Sequence, residues 1–256
     1  MEIIPFFLFF CYNNNGCDFM KKFALITGCA KGIGKEIALE LARDGYNIIG
    51  TYNTSLDEIK ILKERIEALG LSFDYYKLDL SKEEEIDKLV SYIKSKYEKI
   101  DILINNAALS LDNSFEFKTK EEFMKVLEVN LVGPFLLTQK LKDLLEGGII
   151  INISSTDGIN TYSKLSMDYS ASKAGLINLS KSLSLELENT KVYCLCPNWV
   201  DTESIREMDQ DYLNSELKRI GQRKLIDPKM VAKEIIKIKD SNMKSGSIIV
   251  MEDNYD

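Results

Sequence analysis

From residue 22 onward, short apolar runs alternate with longer segments in which apolar residues recur every three or four positions. The runs at 23–27, 46–52, 72–78, 100–105, 148–154, 191–196 and 247–251 have the length and the β-branched, aromatic content of strands. The segments at 32–43, 56–69, 120–145 and 167–188 have the period of amphipathic helices, and Asp227-Pro228 opens a last one. Ser81, with Glu84 three residues on, predicts a capping box at the start of a further helix. Gly133-Pro134 falls inside the 120–145 segment and predicts a kink there. Residues 198–226 are polar and irregular, with room for one helix. Strands that are apolar throughout are buried on both faces, which is the mark of a parallel sheet. The strict alternation therefore predicts an α/β fold, a single doubly wound parallel sheet with helices on both faces. No repeat or boundary divides residues 20–256, which are read as one domain.

Between the first strand and the first helix the chain reads Thr27-Gly28-Cys29-Ala30-Lys31-Gly32-Ile33-Gly34. Gly28 suits a tight turn, Gly32 lets a pyrophosphate approach the backbone, and Gly34 lets helix pack on strand. The helix N-terminus then faces the phosphates, with Ile33 in the same loop. Such a turn makes the sheet a Rossmann-type one. The segment after the second strand selects the nucleotide, because a carboxylate there binds the ribose diol of NAD(H). Here the run is Thr51-Tyr52-Asn53-Thr54, with no carboxylate before Asp57. Lys31 stands where it can meet a 2′-phosphate. NADP(H) is expected over NAD(H), with Asn53 and Lys31 at the ribose end; a merely solvated Lys31 is the alternative.

Composition narrows the chemistry. The net charge is −7 with no basic cluster, so nucleic acid is not an expected partner. The chain has no histidine, which removes Ser-His-Asp and Cys-His nucleophiles and the usual ligand of catalytic zinc. No metal is expected, and the work falls to Tyr, Lys, Ser, Asp, Glu or Cys. The five cysteines, Cys11, Cys17, Cys29, Cys194 and Cys196, form no Cys-x-x-Cys pair. They are read as reduced thiols of a cytoplasmic protein. Cys29 draws attention inside the glycine loop, and Cys194 and Cys196 are assigned to opposite faces of a strand. Residues 3–12 are nearly all apolar, yet too few to span a bilayer. They lack the basic flank and cleavage site of a signal peptide. Met20 is read as the natural start and residues 1–19 as an extension outside the fold; an interfacial anchor is the alternative, and no membrane partner is otherwise expected.

Tyr169 and Lys173 stand four residues apart in Tyr169-Ser170-Ala171-Ser172-Lys173, on one face of a predicted helix. A phenol has a pKa near 10. A cation about 4 Å away, at an effective dielectric of about 20, is worth about 4 kcal/mol, roughly three pKa units. Lys173 is therefore expected to draw Tyr169 toward neutrality and make it a general acid/base. Alone, the pair also fits an ordinary amphipathic helix with an exposed lysine.

Taken with the glycine loop and Ser155, these residues resemble the short-chain dehydrogenase/reductase family, and most the 3-oxoacyl-[acyl-carrier-protein] reductase group, over residues 20–251. The resemblance implies that Gly28, Lys31, Gly32, Ile33, Gly34 and Asn53 hold the dinucleotide. It puts Asp79 and Leu80 at the adenine and Asn106 and Ala107, in Asn105-Asn106-Ala107-Ala108, at the adenosine ribose. Pro197, Val200 and Thr202 match the loop that closes over the nicotinamide. The catalytic set is Asn130, which orders a relay water, Ser155, Tyr169 and Lys173, the last also holding the nicotinamide ribose. Three departures stand out: Ala108 and Asn198 for glycines, and Glu252-Asp253-Asn254 for a Gly-Gly turn. Asn198 is expected to tolerate a left-handed φ.

The implied reaction is NADPH-dependent carbonyl reduction, with a 3-oxoacyl thioester as the leading substrate. A sugar, polyol or small ketone is the alternative. A nucleotide-binding sensor without turnover and a sugar-nucleotide epimerase are weaker readings. Specificity is expected from Leu109 to Phe117 and from 198–226. There Trp199 and Met208 suit an apolar pocket, Arg206 an acidic group, and Lys218 and Arg219 an acyl-carrier protein. A homotetramer or homodimer, packed through the Tyr169 helix and the one before it, is implied by resemblance.

Overall fold

The apolar runs lie side by side because a buried strand satisfies its backbone N–H and C=O groups through neighbouring strands. In this computed structural model, which describes residues 21–253, the strands are β1 (Phe23–Ile26), β2 (Asn47–Tyr52), β3 (Phe73–Lys77), β4 (Ile102–Asn105), β5 (Ile149–Ile153), β6 (Lys191–Pro197) and β7 (Ile248–Met251). Among the described residues they form one sheet of order β3-β2-β1-β4-β5-β6-β7, with every pairing parallel. This is the predicted doubly wound, Rossmann-type sheet. Its strand order reverses between β1 and β4, where a crevice opens beyond the carboxyl ends of the strands.

The helices are α1 (Gly32–Arg43), α2 (Leu56–Glu67), α3 (Glu83–Lys96), α4 (Lys120–Leu127), α5 (Gly133–Leu141), α6 (Met167–Glu186), α7 (Glu203–Arg206), α8 (Gln210–Ile220) and α9 (Pro228–Asp240). Alternate strand residues feed two cores. Ala24 and Ile26 join Ile37, Ile59 and Ile235 of α1, α2 and α9 on one face, whereas Leu25 joins Ile86, Leu89 and Leu137 of α3 and α5 on the other. None of the described helices is long and apolar enough to cross a membrane. The extension assigned to residues 1–19 lies outside the described residues.

Several local expectations are corrected. The Ser81–Glu84 capping box is absent: the N-cap of α3 is Lys82, without a side-chain cap. Asp79 takes over, with its N–H donating to Glu85 Oε2 at 2.8 Å and its Oδ1 accepting from Ser81. A capping box does form at α4, between Thr119 and Glu122. The break in the 120–145 segment precedes Gly133-Pro134: Glu128–Val132 forms a π-helical turn, with the Gly133 N–H bonded to the Glu128 carbonyl five residues back. Pro134 has no N–H for the Asn130 carbonyl, so the regular ladder fails one turn earlier than the ring itself. The 198–226 segment holds two helices, α7 and α8, where one was expected. Cys194 and Cys196 share a face, because residues two apart on a strand point the same way; their sulfurs are 3.9 Å apart.

Candidate active site

The crevice is a cleft of ≈ 870 Å³ running from the glycine loop past Ser155 and Tyr169 to α7 and α8. Its near wall is the turn after β1. Gly28 has φ +64°, and a Cβ there would lie 2.9 Å from the Ala107 backbone; a Cβ on Gly34 would lie 2.4 Å from the Gly28 carbonyl. No side chain fits at either place, so the loop lies flat against β4 and exposes its backbone. Cys29 points the other way. It is fully buried, with room left by Gly50, and burial pushes its thiol up to about 12. It is an inert packing residue.

Asn106 joins the two loops at the switch point. Its Nδ2 donates to the Thr27 and Gly28 carbonyls, each at 3.0 Å, while the Asn106 and Ala107 N–H groups both donate to Thr27 Oγ1. Asp79 and Leu80 line the same end, beside Lys125. Burial works against the Asp79 carboxylate, but hydrogen bonds from Ser81 and the Lys125 charge hold it below the usual carboxylate range. Lys31 of the glycine loop lines the cleft together with Asn53, Thr54 and Ser55 after β2, and no carboxylate is among them.

Ser155 and Tyr169 line the middle of the cleft. Ser155 Oγ accepts from the Asp157 N–H at 3.1 Å. Lys173 does not line it: at 2% exposure it lies behind the Tyr169 ring, Nζ 5.3 Å from the centroid, and donates to the Ile153 carbonyl at 2.8 Å. This geometry corrects the expectation for the phenol. Burial, and then the Asp157 charge, raise the Tyr169 pKa, with Ser155 opposing. Burial pushes Lys173 itself from 10.5 down to about 8. For both groups loss of hydration is the leading cause, raising the acid and lowering the base.

Asn130 is fully buried in the π-helical turn. Its Nδ2 donates to the Leu109 carbonyl and to Ser172 Oγ, and its Oδ1 accepts from the Leu109 N–H at 2.7 Å. The side chain thus ties the substrate-side segment to the Tyr169 helix. Ser172, which the sequence reading passed over, completes the link by donating to the Tyr169 carbonyl at 2.7 Å. A second overlooked tie is buried: Lys118 Nζ reaches Asp168 Oδ2 at 2.9 Å, and Asp168 Oδ1 accepts from the Tyr169 N–H.

Pro197, Val200 and Thr202 line the cleft. Asn198 has no left-handed φ; among the described residues only glycines do. Its Oδ1 instead accepts from Thr156 Oγ1 and the Trp199 N–H, each at 3.1 Å, so its side chain shapes the turn. Beyond β7, Asp253 accepts from the Arg223 N–H where a Gly-Gly turn was expected. Arg206 forms an exposed bidentate pair with Asp201 at 2.7 and 2.9 Å. Arg219 is held by Glu216 and the Thr161 carbonyl, whereas Lys218 is exposed. Glu203, at the start of α7, reaches the α1 N-terminus. Its Oε2 accepts from the Gly32 N–H at 3.1 Å and its Oε1 pairs with Lys35 at 3.4 Å. The substrate end carries Trp199, Ile205, Met208 and Tyr212 together with Asp112 and Asp157.

The family model for short-chain dehydrogenases matches residues 22–213. The 3-oxoacyl-[acyl-carrier-protein] reductase FabG of Staphylococcus epidermidis is 31% identical over 206 residues, 78% of this chain and 84% of that protein. The enzyme of the same name from Thermotoga maritima is 31% identical over 236 residues, covering 89% and 95%. Among solved structures, a short-chain dehydrogenase from Burkholderia cenocepacia in complex with NADP superposes with a TM-score of 0.83 at 26% identity, over 91% of this chain and 96% of that one. The Pseudomonas aeruginosa RhlG/NADP complex matches with the same score, identity and coverage. With its parallel sheet, its glycine loop and Tyr169 set over Lys173, the chain belongs to the short-chain dehydrogenase family.

Proposed function

We propose that the protein is an NADP(H)-dependent carbonyl reductase, acting in reverse as an alcohol dehydrogenase. The observation that carries this reading is Lys173 stacked behind the Tyr169 ring, with Ser155 facing the same cleft. The cradle suits a dinucleotide: Gly28 and Gly34 leave no room for side chains, and the α1 N-terminus already holds an anion, the Glu203 carboxylate. Lys31 and Asn53, without a carboxylate beside them, support NADP(H) over NAD(H), as do the two neighbours solved with NADP.

When bound, NADPH supplies the hydride to the carbonyl carbon, and NADP⁺ takes it back from the alcohol. Tyr169 gives its proton to the carbonyl oxygen as its O–H bond breaks. The burial that keeps the phenol protonated suits it to act as the acid. Ser155 Oγ is already an acceptor for the Asp157 N–H, so its own hydrogen is free for the substrate oxygen. Lys173 keeps two ammonium hydrogens beyond its bond to Ile153, and holding the nicotinamide ribose requires Nζ to move out from behind the Tyr169 ring. Asn130 is read as ordering the relay water through the backbone of its turn, since its side chain is committed to Leu109 and Ser172.

A 3-oxoacyl thioester is supported by the FabG relatives, and exposed Lys218 fits an acyl-carrier protein docking nearby. A sugar, polyol or small ketone is favoured by a different observation, the two carboxylates at the substrate end. The free thiols of Cys29, Cys194 and Cys196 fit a cytoplasmic setting. The test is NADPH consumption with an acetoacetyl thioester and with small ketones, run beside NADH. Turnover that prefers NADPH supports the reading. Binding of NADPH with no turnover of any carbonyl overturns it in favour of a sensor.

A further inference from the structure

Asp157 lies two residues beyond Ser155, is 9% exposed and lines the substrate end of the cleft. Its N–H holds Ser155 Oγ, so the carboxylate is fixed relative to the serine that meets the carbonyl. Oδ1 accepts from Thr161 Oγ1 at 2.5 Å, while Oδ2 carries no hydrogen bond among the described residues. Asp112, from the 109–117 segment, bears a second carboxylate whose charge reaches both Asp157 and Tyr169. Its hydrogen bond is from Ser110 Oγ at 2.9 Å. The nearby cation, Arg219, is occupied by Glu216 and the Thr161 carbonyl. The two lysines that line the cleft, Lys31 and Lys125, are at its adenosine end.

We propose that Asp157 determines specificity, its Oδ2 accepting a hydrogen bond from a hydroxyl on the carbon next to the reacting carbonyl, so that the substrate is a hydroxylated ketone or the corresponding polyol. This rests on the carbonyl-reductase reading above. A substrate entering the cleft strips water from Oδ2, and a hydroxyl on that substrate replaces the lost hydrogen bond where an alkyl group does not. A carboxylate or phosphate at the same place meets two like charges in a confined site. An alkyl group there leaves Oδ2 dry and unpaired. The chemistry thus ranks hydroxyl over alkyl over anion.

Three probes of similar size separate these cases: hydroxyacetone, 2-butanone and pyruvate, each assayed with NADPH. The wild-type protein is expected to favour hydroxyacetone over 2-butanone by about tenfold or more in kcat/KM, through KM, and to be least active on pyruvate. Asp157→Val is expected to erase that preference, bringing the hydroxyacetone to 2-butanone ratio of kcat/KM toward one. Asp157→Asn, which keeps an acceptor without the charge, is expected to fall between and to raise pyruvate activity. NADPH affinity by fluorescence titration stays unchanged in both. Equal wild-type activity on hydroxyacetone and 2-butanone overturns the assignment without any variant. So does a parallel loss on both ketones in the variants. A wild-type protein that binds NADPH but reduces none of the three, nor the thioester, overturns the carbonyl-reductase reading and this one with it.

Discussion

At the scale of single residues, Tyr169 and Lys173 carry the sharpest expectations. Tyr169→Phe removes one oxygen at the acid and leaves the ring over Lys173. It is expected to lower kcat by a thousandfold or more, as loss of a proton donor and an oxyanion partner together would, with NADPH binding by fluorescence nearly unchanged. A variant that keeps full turnover would falsify the assignment. Lys173 gives a stability prediction. Its folded pKa of about 8 lies below its ordinary 10.5, so the buried ammonium costs roughly 3 kcal/mol wherever both states are charged, that is, below pH 8. Between pH 8 and 10.5 the unfolded chain keeps the proton that the folded chain has released, and the penalty fades as pH rises. Lys173→Met also loses the bond to Ile153, worth about 1 kcal/mol. It is therefore expected to be inactive yet up to about 2 kcal/mol more stable than wild type at pH 7, the gap closing toward pH 10. Urea melts at pH 7 and 9.5 read this; a gap that is absent or constant with pH contradicts it.

At the scale of elements, α7 and the π-helical turn matter because each carries a residue to a distant partner. Glu203, on α7, occupies the α1 N-terminus, where the helix dipole and the Gly32 N–H favour an anion. A cofactor phosphate seeks the same donors. Glu203→Gln removes the competing charge and is expected to tighten NADPH binding about two- to fivefold, an effect of the size of a helix-dipole interaction, about 0.3–1 kcal/mol. Calorimetric titration at low and high salt checks both the direction and the screening expected of a partly exposed group. Weaker binding in the variant would instead make Glu203 a cofactor ligand. The π-helical turn was legible only as a disturbance: Gly133-Pro134 marks trouble in the helix, but the carbonyl that Pro134 leaves without a donor lies four residues earlier. The Ser81–Glu84 pattern failed for a related reason. A capping box needs its first residue at the N-cap, and Asp79 and Glu85 take the local donors first.

At the scale of the whole molecule, Met124, Val132, Phe135 and Leu185 leave apolar side chains exposed on α4, α5, α6 and the intervening turn. They support assembly through these helices. Light scattering after gel filtration is expected to give a dimer or tetramer, and Phe135→Glu to shift it toward a monomer; a wild-type monomer rejects this packing. The sheet was legible in the chain, because most of the apolar runs are too short for helices, are bounded by turn residues and alternate with helical segments. The family was legible too, from the glycine loop together with Ser155, Tyr169 and Lys173 at their spacing in a chain without histidine. Spacing along the chain carries local geometry of this kind. It carries neither dielectric nor partnership across the fold. Only the tertiary structure decided that Lys173 loses its proton more readily rather than lowering that of Tyr169, since burial is set by β5, β6 and α6 closing together. The fold likewise sets the ties of Asn130 to Ser172, Lys118 to Asp168 and Glu203 to the Gly32 N–H, because those partners come from segments far apart in sequence.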